Sequence, residues 1–290
     1  MDAVETEALG ALAELLRGRR AVVLAGAGCS TESGIPDYRG PEGSLKTRKP
    51  MQYQEFVRSE TARARYWARS SVGWPRFSAA RPNDGHRALA ALEAAGAVRG
   101  IITQNVDGLH HAAGSRRVVE LHGSLAAVRC LQCGRAEPRD AFQARLWAMN
   151  EGEWAHLAAS DAESAPDGDA ELPASVLEGF RVPGCDGCGG VIKPDVVFFG
   201  ENVPAATVDD AWRLFGEGDV LLVAGSSLHV YSGRRFIYRA QEQGMPIAVV
   251  NLGPTRADDI AAVKVEGKLG DVLPRLATAL RSEETIAVLS

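Results

Sequence analysis

Five cysteines and six histidines are the side chains here best suited to hold a metal or move a proton. The cysteine spacing is informative on its own. Four of them form two C-x-x-C pairs, Cys130/Cys133 and Cys185/Cys188, each pair followed directly by glycine. Thiolates paired in this way close a tetrahedral structural zinc site, and four sulfur ligands leave no open position for chemistry. The expectation is one structural Zn2+ that stabilises its own module and takes no part in a reaction. The remaining thiol, Cys29, reads as a small apolar filler.

A second chemical feature is Gly26-Ala27-Gly28-Cys29-Ser30-Thr31, which follows the apolar run Ala21–Ala25. Glycines at a strand end let the backbone approach a pyrophosphate, and a following helix N-terminus can face it. Thr31 stands where G-x-G-x-x-G has its third glycine. No acid closes the next strand at the usual distance of about 20 residues, which disfavours an ordinary hydride-transferring dehydrogenase. Imidazole, with an ordinary pKa of about 6.5, is the side chain suited to proton abstraction near neutral pH. Spacing alone singles out none of the histidines.

These groups need a scaffold. Residues 3–17 place Val4, Ala8, Leu12 and Leu15 at helical spacing. Apolar runs at Ala21–Ala25, at Ile101 and Ile102, at Val220–Ala224 and at residues 247–250 alternate with helical stretches at 86–95, 206–215 and 232–243. Repeated β-α units of this kind predict an α/β fold with a doubly wound, Rossmann-like parallel sheet. Residues 41–85 hold Tyr53, Phe56, Tyr66, Trp67, Trp74 and Phe77 among many arginines and predict a helical lobe. Residues 124–192 carry both cysteine pairs and an acidic, alanine-rich insertion at 151–171. Strand-like runs lie before and after both segments, so the small domain is inserted into a large one made of residues 1–40, 86–123 and 193–290.

With 290 residues, 46% of them hydrophobic, the chain can bury one large core and one small one. Its net charge of −5, with no run of Lys or Arg, gives no basis for a nucleic-acid or membrane-surface partner. No apolar stretch approaches the roughly 20 residues that span a bilayer, and the first residues are acidic where a leader would be basic. A reducing cytoplasm is the expected location.

The run from Gly26 to the segment Gly34-Ile35-Pro36-Asp37-Tyr38-Arg39-Gly40 closely resembles the sirtuin signature. The resemblance continues at Thr103-Gln104-Asn105-Val106-Asp107-Gly108, Glu120-Leu121-His122-Gly123, Lys193-Pro194-Asp195-Val196-Val197-Phe198-Phe199-Gly200-Glu201, Gly225-Ser226-Ser227-Leu228 and Asn251-Leu252-Gly253-Pro254-Thr255. Tyr66-Trp67-Ala68-Arg69 and Val230-Tyr231-Ser232-Gly233 are similar to the class II branch, which includes lipoamidase and ADP-ribosyltransferase activities.

The resemblance implies NAD-dependent removal of acyl groups from protein lysines, giving nicotinamide, O-acyl-ADP-ribose and free lysine. It implies NAD contacts from Gly26, Ala27, Gly28, Ser30, Thr31, Asp37, Tyr38, Arg39, Gln104, Asn105, Val106, Asp107, Gly225, Ser226, Ser227, Asn251, Leu252, Gly253 and Leu269. His122 matches the family's general base. Val197, Phe198, Phe199 and Gly200 match segments that pair with an acyl-lysine protein substrate as an added strand. Tyr66 and Arg69 have the Y-x-x-R spacing with which some sirtuins recognise acidic acyl chains. A monomer is expected. The alternatives are a protein mono-ADP-ribosyltransferase and a non-enzymatic NAD-binding scaffold.

Overall fold

The computed structural model describes residues 3–38, 50–150 and 179–287. Helix α1 (Ala3–Leu16) feeds strand β1 (Ala21–Ala25), which runs into two short 3-10 turns at Ala27–Cys29 and Thr31–Ser33. Next come α2 (Tyr53–Arg58), α3 (Glu60–Ser78), α4 (Asp84–Ala94), β2 (Val98–Thr103), α5 (Leu109–Ala112) and β3 (Val118–Glu120). The chain then forms β4 (Gly123–Cys130), β5 (Ala136–Pro138), α6 (Arg139–Met149) and β6 (Ile192–Val196). It closes with α7 (Ala205–Phe215), β7 (Val220–Ala224), α8 (Tyr231–Glu242), β8 (Ile247–Asn251), β9 (Val263–Glu266) and α9 (Leu269–Ala287).

Six strands pair in the order β3-β2-β1-β7-β8-β9, all parallel. This is the expected doubly wound order, and the chain reverses direction across the sheet between β1 and β7. All five residues of β1 are buried because both faces of the sheet are covered. Val23 and Ala25 pack with Leu12 of α1, Leu89 of α4 and Leu273 of α9. Val22 and Leu24 pack on the other face with Leu214 and Phe215 of α7 and Phe236 of α8. The edge strands β3 and β9 are half-exposed and add two members that the apolar runs did not reveal.

A second, antiparallel sheet has the order β5-β4-β6. Its third strand extends to Val196, so residues 193–196 pair with the small sheet although the expected large-domain segment starts at 193. Its core gathers Phe56, Trp67, Trp74, Phe142 and Phe198 with Val128 and Ile192. The Trp67 indole N–H donates to the carbonyl of Ile192 at 3.2 Å, tying α3 to β6. Arg139 is fully buried, with its guanidinium 5.2 Å from the ring centre of Trp67 and 5.0 Å from that of Trp74. Among the described residues, no helix is long and apolar enough to cross a membrane.

Candidate functional site

The loops after β1 and β7 meet at the point where the strand order reverses. Gly28 donates its amide to the carbonyl of Gly225 at 2.8 Å. A Cβ on Gly26 would stand 2.7 Å from that of Ser226, and one on Gly28 would stand 2.9 Å from the Gly225 backbone. Gly225 itself has φ +59, and its added Cβ would lie 2.5 Å from the Cys29 nitrogen. The glycines are therefore required by contact between two protein loops, whatever ligand lies above them. Cys29 beneath is buried, and its thiol is pushed up to about 12, chiefly by burial. It stays protonated and donates to the carbonyl of Ala224. That fits the apolar-filler reading.

The segment after β2 fastens the same loop. Asn105 donates from Nδ2 to the carbonyl of Gly26 at 3.0 Å and to Ser30 Oγ at 3.1 Å. Ser30 in turn donates to Asp107 at 2.6 Å, and Asp107 accepts from the amide of Leu109 at 2.9 Å. Gln104 donates from Nε2 to Ser226 Oγ at 2.9 Å, so one short segment joins both loops. Asn83 ties the loop to α4. Its Nδ2 donates to the carbonyl of Cys29 at 2.8 Å and to Ser33 Oγ at 3.0 Å, while its Oδ1 accepts from the amide of His86.

His122 sits where the chain passes from the large sheet into β4. Gly123 makes that passage with φ +77, and a Cβ there would stand 2.1 Å from the carbonyl of Asp195. The His122 carbonyl accepts from the Val197 amide at 2.8 Å, which fixes the backbone. Nδ1 lies 2.9 Å from the carbonyl of Gln104. A carbonyl only accepts, so Nδ1 carries the proton and Nε2 keeps its lone pair in the neutral ring. Nε2 lies 2.7 Å from Ser232 Oγ. Burial, and less strongly the charge of Arg235, hold this imidazole below its ordinary range against the opposing pull of the Gln104 bond. It is neutral at pH 7 and able to accept a proton.

These groups border one cavity of about 1240 Å³. Of the residues anticipated from sequence, it is lined by Gly26, Ala27, Gly28, Ser30, Thr31, Asp37, Tyr38, Gln104, Asn105, Val106, Asp107, His122, Gly225, Ser226, Ser227, Asn251, Leu252 and Leu269. Val197, Phe198, Phe199 and Gly200 line it as well. Three anticipated residues stand outside the lining. Gly253 supports the turn from behind, its carbonyl accepting from Asn251 Nδ2 at 3.0 Å and from Lys264 Nζ at 3.2 Å. Tyr66 is buried with ring contacts to Phe56, Trp67 and Phe198, and Arg69 is half-buried on the same helix. Arg39 lies outside the described residues.

The cavity also exposes what spacing did not indicate. Ser232 and Arg235, one turn apart on α8, both line it beside His122. Leu228, also in the lining, has φ +59. It is the sole non-glycine with positive φ among the described residues, and such strain collects at functional sites.

The Sir2 family profile matches residues 26–232, from the glycine loop through β6 and β7 to the start of α8. The chain belongs to the Sir2 family. A Bradyrhizobium diazoefficiens protein named NAD-dependent protein deacetylase 2 is 54% identical to this Sir2 chain over 86% of it and 90% of the relative. One named NAD-dependent protein deacetylase from Xanthomonas campestris pv. campestris (strain 8004) is 53% identical over 89% of this chain and 86% of its own. A solved Sir2 enzyme superposes with a TM-score of 0.73 at 35% identity, covering 96% of this chain and 99% of that one. A Sir2-p53 peptide-NAD+ complex does so at 0.71 and 31% identity, covering 94% and 97%.

NAD is the co-substrate of Sir2 enzymes, and the small domain of this Sir2 chain suits one structural zinc. The sulfurs of Cys130, Cys133, Cys185 and Cys188 all lie within 4.8 Å of one another. Two of the cross-pairs are closer, Cys130 to Cys188 at 3.5 Å and Cys133 to Cys185 at 3.7 Å. Ligands about 2.3 Å from a tetrahedral zinc sit at comparable separations. Gly134 and Gly189, one after each pair, both have φ +73, so two matching turns present the thiols. The Gly187 amide donates to Cys185 Sγ at 3.4 Å, as an outer hydrogen bond to a ligand would.

Proposed function

We propose that this chain removes acyl groups from lysine side chains of proteins at the expense of NAD, releasing nicotinamide, O-acyl-ADP-ribose and free lysine. The observation that carries the reading is His122: a neutral imidazole of fixed tautomer, bordering a large cavity at the switch point of a doubly wound sheet. The names of the relatives and the NAD and peptide of the solved complex support it and point to acetyl-lysine as the first substrate to test.

In this reading the backbone around Gly26, Gly28 and Gly225 receives the pyrophosphate, and residues 251, 252 and 269 receive the adenosine half. Asn105 and Asp107 act chiefly by holding the loop in shape, since their side chains are already bonded to it. Phe199, Val230 and Tyr231 are exposed apolar side chains on the cavity lip and suit a peptide laid between them as an added strand. The acyl oxygen attacks the anomeric carbon of the substrate ribose as nicotinamide leaves. His122 then takes the proton of a ribose hydroxyl, which attacks the acyl carbon, and water adds there as the C–N bond breaks and the lysine amine leaves. The zinc holds the small domain and contributes no step. The class II assignment and a cytoplasmic setting belong to the same proposal, the latter supported by four thiols clustered for metal.

The test is nicotinamide release across peptides bearing acetyl, succinyl, glutaryl and lipoyl lysine. Acetyl release above the others is the expected result, because Tyr66 and Arg69 stand outside the lining. No release from any peptide overturns the deacylase reading, and protein carrying ADP-ribose replaces it with the transferase.

A further inference from the structure

We propose that Ser232 relays the proton between the substrate hydroxyl and His122. The inference rests on the deacylase reading and adds to it a residue that the base cannot bypass in the geometry observed. Because Nδ1 of His122 donates to the Gln104 carbonyl, the hydrogen bond at Nε2 has one possible direction. The Ser232 hydroxyl donates and the imidazole accepts. The lone pair that would take the substrate proton is thus already occupied by a hydroxyl 2.7 Å away.

A hydroxyl accepts as well as donates, so Ser232 Oγ keeps lone pairs for a second partner. Ser232 lines the cavity and is half-buried. Both ends of the Ser232–His122 bond are held. Gly233 packs closely on the Gln104 side chain, where an added Cβ would stand 2.5 Å from Oε1, so the start of α8 lies against the residue that also holds His122 Nδ1. His122 is fixed through its ring at Gln104 and through its carbonyl at Val197. A substrate hydroxyl arriving at Ser232 Oγ therefore completes a chain of two hydrogen bonds without moving the imidazole.

The ribose O–H bond breaks and its proton passes to Ser232 Oγ, while the original Ser232 proton passes to His122 Nε2. The serine ends as it began, the imidazole becomes imidazolium, and the ribose oxygen forms its bond to the acyl carbon as that carbon's π pair moves onto the lysine nitrogen. Arg235, one turn along the same helix, is the charged group acting on His122, and its Nε donates to the Ser232 carbonyl at 3.0 Å.

Ser232→Ala and Ser232→Thr in the full zinc-loaded chain test the relay. For an acetyl-lysine peptide, Ser232→Ala is expected to lower kcat by about 10- to 100-fold while KM for NAD stays within a few-fold, and Ser232→Thr to recover most of the loss. A hydrogen bond donated to the neutral ring favours that form, so its removal raises the His122 pKa. The acid limb of the kcat profile should move to higher pH in Ser232→Ala, with a matching shift in the nitrogen NMR titration of the ring without substrate. An Ala variant with unchanged kcat overturns the relay, even if the ring titration moves. A wild-type chain that releases no nicotinamide overturns the deacylase reading and the relay together, an outcome distinguished by the wild type's own silence.

Discussion

Gly28 donates to the carbonyl of Gly225 across 2.8 Å, so the loops that flank the cavity are held together backbone to backbone. Gly225→Ala puts a Cβ 2.5 Å from the Cys29 nitrogen at a residue with φ +59. Left-handed strain and overpacking together should cost about 2–5 kcal/mol. Urea unfolding measures this, and a variant within about 0.5 kcal/mol of wild type would show that the loops part without penalty.

Asn83 holds the glycine loop with two side-chain donations and caps α4 with its oxygen. Asn83→Ala should lose about 1–3 kcal/mol of stability, since buried acceptors are left unmet, and should weaken NAD binding. Calorimetric titration with NAD beside urea unfolding checks both. Undiminished NAD affinity would mean the loop keeps its shape without α4.

The four cysteines predict one zinc per chain by elemental analysis. Cys185→Ser, or removal of metal by a chelator, should abolish cooperative unfolding of the small domain and lower Tm. Retention of zinc by Cys185→Ser would contradict the four-thiolate site.

The buried rings of His86 and His110 lie 4.8 Å apart, and burial above all holds their pKa values down to about 4 and about 3. Both are neutral in the folded chain, whereas in the unfolded chain they protonate below about 6.5. The unfolded state then binds more protons, so their contribution to stability is complete above that pH and falls as pH drops toward the folded values. His122, also held low, acts in the same direction. Unfolding free energy should decline between pH 7 and pH 5, and His110→Leu should flatten the slope. A level profile in wild type would mean that these buried rings do not set the pH dependence of stability.

The sequence made the parallel core legible because β1 and β7 are covered on both faces and must be apolar throughout. The edge strands Val118–Glu120 and Val263–Glu266 are short and half-exposed, so no apolar run announced them. Motif resemblance located most of the cavity lining, yet it drew Tyr66 and Arg69 toward substrate. Spacing places them on one helix, but packing against Phe56 and Phe198 decides which way Tyr66 turns. The bond from Ser232 to His122 joins residues 110 positions apart. No local pattern encodes it.

The proposed deacylation depends on His122 as its base. Mass analysis of products from an acetyl-lysine peptide and NAD, for wild type and His122→Ala, tests it most directly. Wild type should give O-acetyl-ADP-ribose and the variant none above background, with NAD affinity kept within a few-fold. Equal product from His122→Ala, or peptide loss of acetyl without O-acetyl-ADP-ribose, would contradict it.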